Sequence, residues 1–207
     1  TCIGNAIVYV ITKNDEAFIT RHGLVKGAMT LIDAERAEAL YAAMGPGLEA
    51  SGGSAGNTAA GLASLGGKAA FIGKVTGDQL GAVYRHDIRA VGVDFDSKPL
   101  DPAVPGTPPT ARSLIIVTPD AQRTMNTYLG ACVELTPDDV DEAVISGSQV
   151  TYLEGYLWDR PTAKEAFIKA ARVAHAAGRK VSLTLSDSFC VERHRDSFLS
   201  LIEGHVH

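Results

Sequence analysis

The chain has 207 residues, 45% of them hydrophobic, which is enough to bury the core of one domain. Its formal net charge of −5 argues against a surface that binds nucleic acid or an anionic membrane. The three cysteines predict neither a disulfide framework nor a zinc knuckle, and free thiols are typical of a reducing compartment. With no signal peptide and no apolar run of spanning length, we expect a cytoplasmic protein.

The first 50 residues alternate apolar runs with helix signals. We expect a strand from Cys2 to Thr12, buried on both faces, and a helix that begins near Asp15. A short strand from Ala28 to Ile32 is followed by a helix from Ala34 to about Met44. The segment from Gly45 to Ala50 matches a dinucleotide fingerprint by letter, but it follows a helix and contains proline. We therefore interpret it as a helix stop.

The stretch from Ser51 to Gly66, SGGSAGNTAAGLASLG, is a glycine-rich turn that leads into a helix. Glycines allow backbone N–H groups to approach a ligand closely, and the first helical turn leaves donors free for hydroxyl or phosphate oxygens. The same letters also fit a tight turn that packs a strand against a helix. Helical spacing predicts that the helix buries one face, formed by Ala59, Leu62, Ala63 and Leu65.

The rest of the chain returns repeatedly to a strand followed by a helix. Strands are predicted at Ala69–Lys74, from Val93, at Gln149–Leu153 and at Val181–Leu185, and helices at Gln79–Val91, Pro137–Ile145, Pro161–Ala177 and His194–Glu203. Such alternation predicts an α/β fold with a parallel sheet covered on both faces. Two further strands, Arg112–Thr118 and Arg123–Leu129, form a predicted hairpin, which is a candidate lid.

Several motifs occur together in a fixed order, among them GNAIV near the start, KAAFIGKVTGDQLG, TPDAQRTMNTYLGAC, YLEGY and LTLSDSF. The chain resembles the PfkB, or ribokinase-like, family of carbohydrate and nucleoside kinases, and its adenosine-kinase-like members most closely. The residues that carry this resemblance are Gly52, Gly53, Asn57, Gly66, Gly73, Asp78 and Gly81.

The resemblance implies a single domain spanning residues 1–207, a three-layer αβα sandwich with a mostly parallel sheet. A small β-sheet lid would come from segments of about 13–33 and 95–130. The implied activity is ATP-dependent phosphorylation of the primary hydroxyl of an adenosine-like nucleoside or a sugar, with ATP and Mg²⁺ as cofactors. The partner would be this small molecule, with no nucleic acid and no membrane, and the protein would be a monomer or homodimer.

The resemblance also implies roles for particular residues. Asn5, Gly52, Gly53 and Asn57 would surround the sugar hydroxyls, Tyr156 and Phe189 would sandwich the base, and Arg123 would contact the transferred phosphate. Each residue type also has an ordinary structural explanation. Asn57 could merely cap a helix, the aromatic rings could belong to the core, and Arg123 could be a solvated hairpin residue.

Two departures from the family pattern bear on function. Tyr9 stands where the family has a carboxylate that binds two sugar hydroxyls, and a phenol lacks that charged, two-acceptor grip. The family's G-A-G-D turn and N-x-x-E motif are absent, so we expect the catalytic base and nucleotide site beyond residue 207, a chain truncated at its C-terminus, and no activity from these residues alone. No metal site is predicted. Glu154, a carboxylate at a strand end, has no visible partner and is left unassigned.

A second class of function stays open beside the kinase. The same glycine turns could pack helices in a noncatalytic ligand-binding or structural fragment, in which Tyr9 marks a site that no longer grips a diol.

Overall fold

A computed structural model describes all residues from 1 to 207 and contains ten strands and seven α-helices. The strands are β1 Cys2–Ile3, β2 Ile7–Lys13, β3 Met29–Leu31, β4 Leu48–Gly52, β5 Ala69–Ile72, β6 Val93–Asp94, β7 Ala111–Val117, β8 Arg123–Tyr128, β9 Val150–Glu154 and β10 Lys180–Thr184. The helices are α1 Glu16–Arg21, α2 Ala34–Ala43, α3 Ser54–Ser64, α4 Gln79–Ala90, α5 Glu142–Gly147, α6 Pro161–Ala176 and α7 Ser188–His205.

The first sheet is parallel throughout, with the strand order β10-β9-β1-β5-β6. The short strand β1 lies at its centre, where Cys2 is opposite Phe71 and Ile3 is opposite Ile72. Successive side chains of a strand point to opposite faces. Cys2 and Phe71 therefore enter one hydrophobic core, and Ile3 and Ile72 enter another.

Helices bury each face of this sheet. On one face, α3 and α4 contribute Ala59, Tyr84 and Ile88 to the core. On the other face, α6 and α7 contribute Phe167 and Phe198. Two faces covered by helices form a three-layer α/β sandwich around the covered parallel sheet that the alternation of strands and helices predicts.

The second sheet has the strand order β3-β8-β7-β2-β4 and mixes parallel and antiparallel pairs. Strands β7 and β8 form the predicted antiparallel hairpin. The sheet also includes β2 and β4, so it draws on more of the chain than the two segments expected to form a lid.

The expectation of one strand from Cys2 to Thr12 is wrong, because the chain leaves the first sheet after Ile3 and enters the second at Ile7. The connection between the two sheets begins at Gly4, which is in close contact with Ala55 and Glu154. A Cβ atom at Gly4 would lie 2.5 Å from Glu154 Oε2 and from Ala55 Cβ. Both segments are apolar, so the hydrophobic pattern alone does not separate them.

Four further expectations need correction. The helix stop at residues 45–50 runs into strand β4, which pairs antiparallel with β2. Helix α3 buries Ala55, Gly56 and Ala59, whereas Leu62 and Leu65 are exposed. The predicted helix from Pro137 is a 3₁₀ turn, Pro137–Asp139, followed by α5. At the other end of the chain, the expected helix from His194 starts earlier, because α7 begins at Ser188, before a break in helical geometry at His194.

None of the helices combines the length and the apolar character that crossing a bilayer requires.

Candidate substrate site

A cavity of about 440 Å³ lies between the two sheets. Asn5 follows β1, Glu154 ends β9, and Asp187 follows β10, so the cavity is at the carboxyl ends of neighbouring parallel strands. This is where open α/β sheets bind ligands. The wall opposite consists of residues from the second sheet and its exit: Ile7, Tyr9, Met29, Leu31, Ser113, Met125, Thr127 and Leu129.

The residues of this wall share one face of the second sheet because of its register. Tyr9 is opposite Ser113, and Ser113 is opposite Thr127. Thr127 is in turn opposite Leu31. The hydroxyl oxygens of Ser113 and Thr127 lie 2.9 Å apart and are buried. The wall is therefore largely apolar with one hydroxyl pair at its centre.

The carboxylate of Glu154 joins three parts of the site. Its Oε1 accepts hydrogen bonds from the backbone N–H and the side-chain amide of Asn5 at 3.3 and 3.0 Å. Its Oε2 accepts from Ser54 Oγ at 2.9 Å and from the backbone N–H of Ala55 at 2.8 Å. Burial raises the pKa of Glu154 although these four donors pull it down. Glu154 thus ties the β1–β2 connection to the first turn of α3.

The glycine pair before α3 permits a close approach of backbone segments. Gly53 has φ of 86°, and a Cβ atom there would lie 2.2 Å from the carbonyl oxygen of Asn5. At Gly52 a Cβ atom would lie 2.7 Å from the Tyr9 ring. Neither position can carry a side chain without displacing its neighbour, so the glycines bring Asn5, Tyr9 and the helix start together.

Two aromatic rings line the cavity. Tyr156 lies in a 3₁₀ segment after β9, and its backbone N–H donates to Ser186 Oγ at 2.9 Å. Burial, assisted by the neighbouring Asp187 carboxylate, raises the pKa of the Tyr156 phenol to about 12. Phe189, in the first turn of α7, is 69% exposed. Both rings have a face that a planar ligand could cover.

Charged residues complete the rim. Asp159 accepts hydrogen bonds from Arg193 at 3.3 and 3.4 Å and also contacts His194. Partial burial would raise the pKa of Asp159, but the bonds to His194 and Arg193 hold it below its usual value. The negative charge of Asp159 is thus already paired with Arg193 within the protein.

The structure brings most of the residues expected from the sequence to one place. Asn5, Tyr9, Gly53, Tyr156 and Phe189 all line the cavity. Gly52 lies beside them against the Tyr9 ring. Their contacts with a ligand stay predictions.

Two expected residues lie outside the cavity wall. Asn57 is exposed on α3, one turn beyond Gly53. Arg123 is exposed at the start of β8, on the same face as Met125 and Thr127 but about 7 Å further along the strand. Each role therefore stays a prediction, and Arg123 would have to reach toward the cavity along its strand.

Sequence reasoning missed Glu154, Ser54 and Asp187 as parts of the site. A glutamate followed by glycine at the end of an apolar strand was the available signal for Glu154. Its partners are distant in the chain, since Asn5 is 149 residues away and Ser54 is 100 residues away. Asp187 appeared only within the LTLSDSF motif, because the helix after it was expected from His194 and the position of β10 beside β9 depends on the tertiary fold.

Comparison with known proteins shows the family of this chain. The family model described as pfkB family carbohydrate kinase matches residues 29–207. This chain belongs to the pfkB family. The solved adenosine kinase from Sinorhizobium meliloti is 62% identical, with a TM-score of 0.88 over 99% of this chain and 62% of that one. A probable sugar kinase from Rhizobium etli is 58% identical, with a TM-score of 0.87 over 99% of this chain and 61% of that one.

A curated relative, the 5-dehydro-2-deoxygluconokinase of Shouchella clausii, is 32% identical over 135 residues, covering 65% of this chain and 41% of the relative. The pfkB-family chain described here thus spans about three fifths of the two solved structures and less of the curated relative. These relatives are kinases of small molecules by name. The two solved structures share the ribokinase-like fold that the resemblance implies.

Membership of a kinase family implies ATP as the phosphate donor. No three carboxylate, histidine or cysteine side chains of this pfkB-family chain come close enough to form a metal site of their own. Mg²⁺ in phosphoryl-transfer sites needs only one or two carboxylates together with substrate phosphates, so the ion expected from the resemblance stays a prediction. Glu154 and Asp159 in the cavity wall are already occupied by protein donors. The three cysteines are buried and free.

Proposed function

We propose that this chain forms the substrate-binding part of an ATP-dependent kinase that phosphorylates the primary hydroxyl of an adenosine-like nucleoside. The Sinorhizobium meliloti relative, an adenosine kinase, supports the choice of substrate. Catalysis by the whole protein is part of the proposal, as is a cytoplasmic location.

The observation that carries the choice of a nucleoside is the combination of an apolar wall and uncovered aromatic rings. Met29, Leu31 and Met125 line the cavity from the second sheet, and Tyr156 and Phe189 line it as well. None of the aromatic ring pairs in the protein includes Tyr156 or Phe189. A purine has the planar surface that such rings bind, whereas a monosaccharide is polar around its whole edge.

A monosaccharide is the second candidate, because the Rhizobium etli relative is named a probable sugar kinase. The hydroxyl pair of Ser113 and Thr127 and the amide of Asn5 would serve a small polar ring. A monosaccharide bound by these groups would leave Tyr156 and Phe189 without a role.

Calorimetric titration with adenosine and with fructose separates the two candidates. We expect tighter binding of adenosine, and we expect Phe189→Ala to weaken it by about 1 kcal/mol through lost stacking. Leu199→Ala, at another exposed apolar position of α7, is the control that should leave binding unchanged. Tighter binding of fructose, unaffected by Phe189→Ala, would support the sugar instead.

Tyr9 allows a test of the sugar end of the cavity. Tyr9→Asp restores an acceptor with two charged oxygens at a position that lines the cavity. Charge-assisted hydrogen bonds contribute roughly 1.5 to 3 kcal/mol, so the preference for adenosine over 2′,3′-dideoxyadenosine should rise by about tenfold or more.

The neutral variant Tyr9→Asn is the matched control, because it has nearly the same shape as aspartate without the charge. Its preference should rise less than that of Tyr9→Asp. An unaltered ratio in Tyr9→Asp would show that the ribose does not lie against β2.

A further inference from the structure

Three carboxylates line the cavity, and two of them have their hydrogen-bonding capacity filled by the protein. Glu154 accepts four hydrogen bonds, two at each oxygen. Asp159 is bound by Arg193 and by His194. A carboxylate offers about four acceptor positions, so neither group has much left for a ligand.

Asp187 is different. It accepts the backbone N–H of Cys190 at 2.7 Å as the N-cap of α7, and it takes part in none of the ion pairs of the protein. The phenol of Tyr156 is a neighbour of this carboxylate, which helps to raise the phenol's pKa. At least two acceptor positions of Asp187 therefore stay open.

The backbone before Asp187 fixes this position. Ser186 has φ of 71°, in the left-handed region that residues other than glycine rarely adopt. The Ser186 backbone N–H donates to Thr184 Oγ1 at 3.2 Å. The hydroxyl oxygen of Ser186 accepts from the Tyr156 backbone N–H at 2.9 Å. Such strain persists only where the surroundings hold it, and it is concentrated at functional sites.

We propose that Asp187 is a specificity-determining residue that accepts a hydrogen bond from the amino group of a nucleobase lying between Tyr156 and Phe189. This inference rests on the proposed function. Asp187 lines the same cavity as Tyr156 and Phe189, and it is two residues before Phe189 in the chain. Because an ionised carboxylate only accepts hydrogen bonds, it favours a 6-amino purine and repels the carbonyl oxygen of a 6-oxo purine.

The test compares adenosine with inosine by calorimetry on the purified protein. We expect the wild type to bind adenosine more tightly by at least about tenfold, because a site with a fixed acceptor discriminates strongly against a ligand without the donor. In Asp187→Asn the preference should fall to about threefold or less, since a carboxamide can present either its NH₂ group or its oxygen. Asparagine is also a good N-cap, so α7 should keep its start.

Asp159→Asn is the matched control, because it neutralises another carboxylate of the same cavity whose oxygens are already bound by Arg193 and His194. We expect it to retain the wild-type ratio of adenosine to inosine affinity. Asp187→Ser, which also keeps an N-cap residue, is the second variant should Asp187→Asn fail to fold, and it should lose the preference as well.

An unchanged ratio in both Asp187 variants overturns the proposal. It is also overturned if Asp187→Asn weakens adenosine and inosine equally but has no effect on 2′,3′-dideoxyadenosine, because the carboxylate would then bind the sugar. Failure of the wild type to bind either nucleoside contradicts the proposed function itself, and the assignment of Asp187 with it.

Discussion

Replacing Glu154 with leucine is expected to lower the free energy of unfolding by about 4 kcal/mol or more, since each buried donor left unpaired costs about 1 to 3 kcal/mol. Four donors lose their acceptor, and Asn5 and Ala55 are buried beside it. Urea denaturation followed by circular dichroism measures the loss. Glu165→Leu, at an exposed position of α6, is the control and should change stability by no more than about 0.5 kcal/mol.

The pH dependence of the free energy of unfolding is compared between the wild type and Glu154→Gln, whose side chain cannot ionise. Because the pKa of Glu154 is raised in the folded state, its contribution to stability is fully present below the ordinary glutamate pKa and is lost as pH rises through the raised value. The stability advantage of the wild type over Glu154→Gln should therefore be largest in acid and decrease toward neutral pH. An advantage that grows with pH would show that the four donors outweigh burial.

The substitution Gly53→Ala is expected to cost about 3 kcal/mol or more and to abolish nucleoside binding. A left-handed conformation alone costs an ordinary residue roughly 1 to 3 kcal/mol. The new Cβ atom would also lie 2.2 Å from the Asn5 carbonyl oxygen, so the connection that places Asn5 in the cavity would have to move. Thermal unfolding and adenosine calorimetry on the same sample measure both effects.

A second glycine of the same helix provides the control. Gly61 lies within α3, and nothing is within 4 Å of a Cβ atom built there. Gly61→Ala should stabilise the protein by up to about 1 kcal/mol, because alanine is the better helix former. Equal losses in both variants would mean that α3 is intolerant of any substitution, and that Gly53 has no special role.

The hydrophobic pattern and the capping residues predicted most helices and strands of the fold. Asp15, Asp33 and Asp78 each accept a backbone N–H at the start of the helix that they were expected to begin or precede. These signals are local, so they can be read without the tertiary structure. Strand β4 escaped notice because its residues, Leu48–Gly52, are poor strand formers that depend on pairing with β2.

The residues of the site also divide into those that a local motif marks and those that depend on the tertiary fold. Gly53 and Asn5 could be found because a short motif marks them, and the register of the second sheet then brought Tyr9 to the same cavity. Helix α3 was predicted correctly as a helix, but the face that it buries is different from the predicted one. Small residues such as Ala55 and Gly56 pack closely against their neighbours, whereas the prediction relied on the larger apolar residues. Glu154 and Asp187 depended on contacts that only the folded sheet creates.

The position of β1 at the centre of the parallel sheet has a consequence for how the protein is made. Cys2 and Ile3 pair on one side with residues near 71 and on the other with residues near 152. About 150 residues separate β1 from β9, so at typical synthesis rates of about 5 to 20 residues per second roughly 8 to 30 s pass before the second neighbour exists. Cys2 and Ile3 therefore cannot have both strand partners until β9 has been translated, so the central sheet is completed only after that point.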